Sequence, residues 1–342
     1  MADILNKLNS ANYVTVKITD NAITNGNNLI ATYASAKAKT PNGSALSASN
    51  RLAIILPPAI YDLGTQSLTL DTQYIDIIGS TNERGKHHIK SNVATTSSGV
   101  IRQTANDVKL INLKIENTGY YGVAFNSTDA AAYFPDSNLN NTYVENVEFR
   151  GYRLLNAART LSMRRNIEYS GTFIDCKATD GANYSPEYSF GGSGSGAVAS
   201  GTFKNCEGGN NSFGGGTGGV ASGTFINCTA GLYSFGGHNS SGGVASGTFE
   251  DCIGGDYAFG GNGTASGSFK NCTGGLGAFG GEFGVATGKF ENCKGGNFAF
   301  GGNLASGTFI NCEGGDYSFC TYGVINGIFI NCRGGTSSFN IN

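Results

Sequence analysis

Tryptophan is absent from the 342 residues, proline occurs 5 times, histidine 3 times, and charged residues make up 13% of the chain, about half the usual share. The 22 basic residues nearly balance 24 acidic ones, so no generic polyanion surface is indicated and nucleic acid is not an expected partner. No apolar run approaches the ~18 residues that a bilayer demands, and no membrane insertion is expected. The opening stretch MADILNKLNSANY lacks a basic segment followed by an apolar block. The expectation is a protein that starts in the cytoplasm, or reaches a virion or extracellular surface by lysis or particle assembly. A glycine at every third position is also missing, which removes collagen, and aromatics at fixed intervals argue against a disordered polar tract.

What is present is glycine, at 54 residues, with 21 phenylalanines, 16 tyrosines and an apolar content of 39% that permits a core. Nine cysteines occur, eight of them once per repeat inside one short motif and the ninth, Cys320, outside it. No C-x-x-C spacing accompanies them, so zinc is not expected, and a reduced, packed column is. No cofactor is called for.

From about residue 170 the chain is an array. A unit reads ASGTFINCTGG, a variable pair, then SF or AF and GG. The pairs Phe203/Phe213, Phe225/Phe235, Phe249/Phe259, Phe269/Phe279, Phe290/Phe300, Phe309/Phe319 and Phe329/Phe339 are each ten residues apart. Within each unit stands a tetrad of apolar residue, any residue, Asn or Asp, and Cys. With any apolar residue in place of Cys, the same tetrad extends upstream. The markers are Asp76, Asn112, Asn146, Asp175, Asn205, Asn227, Asp251, Asn271, Asn292, Asn311 and Asn331, at intervals that fall from 36 to about 20 residues.

Units of ~20 residues with five or six glycines cannot supply two packed helices. The alternation of Gly201 and Phe203 with Thr202 and Lys204 has the period of a strand with one buried face. Asn and Asp tolerate the left-handed conformation of a sharp corner. A corner at Asn205 lets Phe203 and Cys206 both point inward. Stacked turns then place phenylalanine on phenylalanine, cysteine on cysteine and amide on amide, and small inward residues let each turn close. Pentapeptide coils and calcium-binding nonapeptide rolls fit less well, because the spacing varies and GGxGxD is not tandem.

On these residues the chain resembles the right-handed parallel β-helix proteins, the fold of pectate lyases and many phage tailspikes. The segment Asn28 to Ala38, with Leu29, Ile30, Tyr33, Ala34 and Ala36 on one face, resembles that family's N-terminal capping helix, and LAIILPPAIYDL at 52–63 its opening strand. The expected fold is all-β, a right-handed parallel β-helix of about eleven turns with that cap. Residues 1–24 are read as a docking segment whose YVTVKIT is a strand for another subunit. Residues 25–342 form one β-helix domain, with long turns over 50–170 and short ones over 170–342.

Signs of catalysis are sparse. The family's Asn-Thr-Asp, Gly-His-Gly and Asp-Pro-His-Glu signatures are missing, and His87, His88 and His238 read as exposed loop residues. The threonine column Thr172, Thr202, Thr224, Thr248 and Thr308 is broken by Lys289 and Ile328, which disfavours ice binding. Long turns expel loops, and loops on rigid scaffolds carry recognition. The richest, 117–141, holds Tyr120, Tyr121, Tyr133 and Phe134 to stack on sugars and Asp129 and Asp136 to accept from hydroxyls. The same aromatics also suit a satellite core folded over the coil. Arg150, Arg153, Arg159, Arg164 and Arg165 form a second group, suited to acidic sugars or to plain solvation. Tyr188, Tyr233, Tyr257, Phe298 and Tyr317 fall where strand alternation predicts burial.

The leading expectation is a noncatalytic or weakly catalytic tailspike-like or adhesive fibre protein presenting loops to a cell-surface polysaccharide. A lyase or hydrolase using Asp129, Asp136, Glu145 and Glu148 is the alternative, and an end-to-end filament or coat protein the third. The chain stops soon after Phe339, so a homo-oligomer or fibre partner is expected to cover the C-terminal end.

Overall fold

A computed structural model describes residues 12–92, 99–118, 130–133, 141–151, 161–162, 168–180, 190, 196–240, 242–320 and 322–339. The chain divides into two compact units, the first Met1–Ser162 with Gly171–Tyr184, the second Met163–Ser170 with Ser185–Asn342. Both are wound as a parallel β-helix: strands far apart in sequence lie side by side, all in parallel. Such connections need a crossover at every step, and the chain makes one per coil.

In the first unit one sheet runs through Tyr13–Thr15, Leu52–Leu56, Ile75–Gly79, Lys109–Asn117, Tyr143–Gly151 and Thr172–Ile174. A four-stranded sheet of Leu68–Leu70, Gly99–Gln103, Ala130–Tyr133 and Leu161–Ser162 forms another wall. The register Ile54, Ile77, Leu110, Val144, Phe173 stacks one inward side chain per coil, and all five are buried. The segment YVTVKIT supplies the strand Tyr13–Thr15, which pairs within the chain, Tyr13 against Ala53.

The helix spans Ala22–Ala36, not 28–38, because Asn21 caps it, its side chain accepting from Thr24 N at 2.9 Å. It buries Asn25, Gly26, Leu29, Tyr33 and Ala36, while Ile30 is half-buried and Ala34 exposed. Gly26 is needed there: a Cβ would stand 2.0 Å from the Asp62 carbonyl oxygen, so the helix backbone rests directly on the strand Ala59–Asp62.

In the second unit the strands Thr202–Lys204, Thr224–Ile226, Thr248–Glu250, Ser268–Lys270, Lys289–Glu291, Thr308–Ile310 and Ile328–Ile330 form one wall. Eight two-residue strands from Glu168–Tyr169 to Val324–Ile325 form a second. A line of single bridges from Glu207 to Arg333 marks a third. Between them stand two phenylalanine columns. Phe203 to Phe329 stack at 4.7–5.1 Å, and Phe190 to Phe339 at 4.6–5.0 Å. These distances equal the strand spacing, so ring stacking and backbone pairing share one repeat. The columns meet edge-on, as Phe249 meets Phe259 at 5.6 Å and 87°.

Among the described residues, ten of the eleven markers, Asn112 through Asn331, turn with positive φ. Their amides form ladders: Asn146 donates to Asn112 at 2.7 Å, and Asn271, Asn292, Asn311 and Asn331 each donate to the marker one coil before. Asp76 is the exception. It is fully buried beneath Arg51, whose Nε donates to it at 2.8 Å, and its other oxygen accepts from Lys109 N. The corner opposite Asn112 belongs to Gly79, where a Cβ would stand 2.3 Å from the Asn112 carbonyl and 2.5 Å from His87 Nδ1.

All nine cysteines are free. The thiols of Cys228, Cys252, Cys272, Cys293 and Cys332 donate to the phenylalanine carbonyl one coil earlier, as Cys252 Sγ does to Phe225 O at 3.4 Å. Burial pushes the Cys252 and Cys272 thiols up, so they remain neutral packing groups. Cys320 is buried apart from this column, its Sγ 3.8 Å from Asn303 O.

Candidate functional site

Two surfaces gather chemistry, one on each unit. On the first, the outward residues of the strands Ala59–Asp62, His87–Ser91, Lys109–Asn117, Tyr143–Gly151 and Lys177–Asp180 fall into two columns. One holds Ile60, His88, Lys114, Glu148 and Lys177, the other Asp62, Lys90, Glu116 and Arg150. The alternate residues Tyr61, Ile89, Ile115, Phe149 and Ala178 are buried, which fixes this face outward.

Glu116 is its hub. Lys114 Nζ lies 3.0 Å from Oε2 and Arg150 Nη1 3.4 Å from Oε1. His88 Nε2 comes within 2.8 Å of Oε2. The His88 contact first, then Lys114 and Arg150, outweigh burial and hold the carboxyl down at about 2. Asp62, paired with Lys90 at 3.0 Å, is lowered as well, the Gly64 amide and Lys90 prevailing over burial. Carboxylates held this way stay ionised and order the cations around them. They do not serve as proton donors.

His87 and His88 are therefore strand residues, not loop residues. His87 is fully buried, and burial pulls its imidazole below the usual range, which keeps it neutral. His238 does sit in a turn, half-buried, with Nδ1 2.7 Å from Ser240 Oγ.

Tyr120, Tyr121, Asp129, Phe134 and Asp136 lie outside the described residues, as do Arg153, Arg159, Arg164, Arg165 and Tyr188. Tyr133 is described in its backbone, paired with Arg102 and Ser162. Glu145 and Glu148 are half-buried on one strand, and the Tyr143 hydroxyl donates to Glu145 at 2.7 Å.

The second surface corrects the expectation of buried tyrosines. Tyr233, Tyr257 and Phe298 are half-buried and Tyr317 is exposed. All four have φ of 52–57°, so strand alternation stops at these corners and the side chains turn out. Tyr233 stacks on Tyr257 at 5.9 Å and Phe298 on Tyr317 at 5.1 Å. The sequence carried a signal for this: Asn211 and Gly277 occupy the same column, and Asn and Gly are the residues most at ease with positive φ.

Each flanking Asn or Asp anchors the coil that follows. Asn210, Asp256, Asn297 and Asp316 accept from the backbone N of Leu232, Leu276, Asp316 and Thr336 at 2.7–2.9 Å. The turn beside this column exposes Phe283 and Tyr322, at 58% and 61%. Among the described residues no cluster of His, Cys, Asp and Glu is arranged to hold a metal, and no helix is long and apolar enough to cross a membrane.

No family model matches the chain, and no curated protein matches it. Among solved structures it is similar to the pectin methylesterase PemA from Erwinia chrysanthemi, at 12% identity and a TM-score of 0.37, over 91% of this chain and 80% of that one. A likeness so distant says nothing of chemistry.

Proposed function

We propose that this chain is a noncatalytic glycan-binding β-helix, an adhesive fibre component of the tailspike kind that holds a surface polysaccharide. The observation that carries this reading is the aromatic column Tyr233, Tyr257, Phe298 and Tyr317 on the outside of the second unit. The interior is already filled by two phenylalanine columns, so these rings serve no core. Half-exposed aromatic rings along one corner, with polar neighbours fixed by the coil, suit the apolar faces and hydroxyl edges of sugars.

The test is retention of the whole chain on a panel of immobilised bacterial and plant polysaccharides, with reducing ends and unsaturated products measured in parallel. Retention without product, weakened about tenfold or more by Tyr317→Ala, is the expected result. No retention on any member, or steady product release, sinks the reading.

The Glu116 face favours one alternative, a lyase or hydrolase of acidic polysaccharide, since its lysine, arginine and histidine suit uronates. Product release abolished by Glu116→Gln and His88→Ala is what that alternative requires.

A further inference from the structure

The aromatic column has one missing rung. Gly277 has the backbone of its neighbours, φ +60° against 52° at Tyr257 and 56° at Phe298, but carries no ring. Coils repeat about every 4.8 Å, so Tyr257 and Phe298 stand two steps, roughly 9.6 Å, apart along the backbone. Each is backed by a partner on its far side, Tyr257 by Tyr233 and Phe298 by Tyr317. Towards the gap neither meets another ring among the described residues.

Tyr257 leans into this space. It lies 22° from parallel with Tyr233, whereas Phe298 and Tyr317 are 8° apart, and a Cβ on Gly277 would stand 2.6 Å from Tyr257 Cε1. A ring tilted off its stack over bare backbone is how a packed surface relaxes around a missing group.

The polar groups bordering the gap are acceptors. Asp256 lies next to Tyr257 in sequence and faces Leu276 N. Glu282 is close enough to add to the burial that raises the Tyr257 phenol. Asn262 is 5% exposed, with Nδ2 donating to Asn239 O at 2.8 Å, but its Oδ1 has no hydrogen-bond partner. That oxygen is buried against Gly281, in the coil that carries Gly277. A buried acceptor without a donor is uncommon in a native fold and marks a place where a donor belongs.

We propose that the Gly277 gap is a slot for one neutral pyranose ring of a bound glycan, held between Tyr257 and Phe298 with hydroxyls directed to Asp256 and Glu282. The slot rests on the glycan-binding reading and narrows it. Two carboxylates at the rim disfavour uronates, and an acceptor-rich border selects a ligand edge rich in O–H donors. Entry turns Tyr257 upright on Tyr233.

The experiment is calorimetric titration of the whole chain with cellohexaose, maltohexaose, chitohexaose and hexagalacturonate. At least one neutral hexaose is expected to bind, at least about tenfold more tightly than hexagalacturonate. Gly277→Tyr supplies the missing ring at a φ that Tyr233, Tyr257 and Tyr317 already adopt. It is expected to lose that affinity about tenfold or more, with Tyr257 displaced from over the backbone. Phe298→Ala, which removes one wall, is expected to lose it as well and covers the case in which the tyrosine variant fails to fold. Unchanged affinity in either folded variant, or hexagalacturonate binding as tightly as the neutral sugars, overturns the slot and leaves glycan binding standing. Binding of none of the four by a chain that is retained on the polysaccharide panel also overturns the slot alone, whereas no retention on the panel removes the reading beneath it.

Discussion

The two units solve one packing problem with different side chains. In the first, a ladder position passes through Ile54, Ile77, Leu110 and Val144; in the second, the corresponding kind of position is phenylalanine in every strand from Phe203 to Phe329. Successive corners are 34 residues apart between Asn112 and Asn146, but 19–21 between Asp251 and Asn311. A wide coil has room for branched aliphatics and for a buried ion pair. A coil of about 20 residues closes only over flat rings with glycine, alanine and cysteine around them, so its sequence becomes nearly periodic. Surface chemistry follows the same division, with charge on a broad sheet face in one unit and aromatics at a tight corner in the other.

The largest expected effects set these two interiors against each other. Arg51→Ala leaves the Asp76 carboxylate buried and unpaired, at a cost of about 3–5 kcal/mol. Phe259→Ala leaves a cavity in the ring columns at a similar cost of about 3–5 kcal/mol. They differ in how they are repaired. Replacing Arg51 and Asp76 together by Met and Leu should recover most of the loss, because an ion pair repays little beyond its own desolvation. No second substitution should rescue Phe259→Ala, since rings above and below lose contacts together. Denaturant midpoints of the three variants check this, and a double variant no better than Arg51→Ala contradicts it.

Acid should distinguish the units next. Glu116 is held at about 2 against an ordinary 4.5. A depressed carboxyl contributes stability that is fully present above its unfolded value and is lost as pH falls towards its folded one, here between 4.5 and about 2. The contribution is at most about 3 kcal/mol, reduced by the solvent that still reaches the cluster. Hydrogen exchange should show amides of the strand Lys109–Asn117 losing protection across that window, and Glu116→Gln should flatten the change. Equal loss in the strands Thr248–Glu250 and Ser268–Lys270 would show that Glu116 is not its source.

The second unit was legible in the sequence almost residue by residue, because repetition displays each position several times: the phenylalanine pairs, the amide corners and the reduced cysteine column all stand where the spacing puts them. The first unit was legible in architecture only. Asp76 matched the tetrad but serves Arg51, and no local pattern distinguishes a corner aspartate from a buried one when its partner is 25 residues away. The Glu116 face was missed for a related reason: His88, Lys114, Glu116 and Arg150 come from three strands whose register no single segment encodes. The aromatic column was seen but turned inward, since alternation was carried through a segment that bends at Tyr257 and again at Phe259.

The smallest effect probes the regularity of the second unit. Along its ladder each amide donates to the marker before it, but at Asp251 the sequence breaks the rule. Asp251 accepts from Asn271 Nδ2 at 2.9 Å and, as a carboxylate, has no N–H to offer Asn227, whose own amide reaches Asn205 at 3.0 Å. Asp251→Asn should supply the missing rung and raise stability by about 0.5–1 kcal/mol, the net worth of one amide hydrogen bond. The converse change, Asn271→Asp, removes a donor and sets two carboxylates one coil apart, so it should cost about 1 kcal/mol or more. Opposite shifts in denaturant midpoint are the expected pair of results. If Asp251→Asn leaves the midpoint unmoved while Asn271→Asp lowers it, the loss reflects repulsion alone, and the amide column contributes geometry to the corner but little free energy.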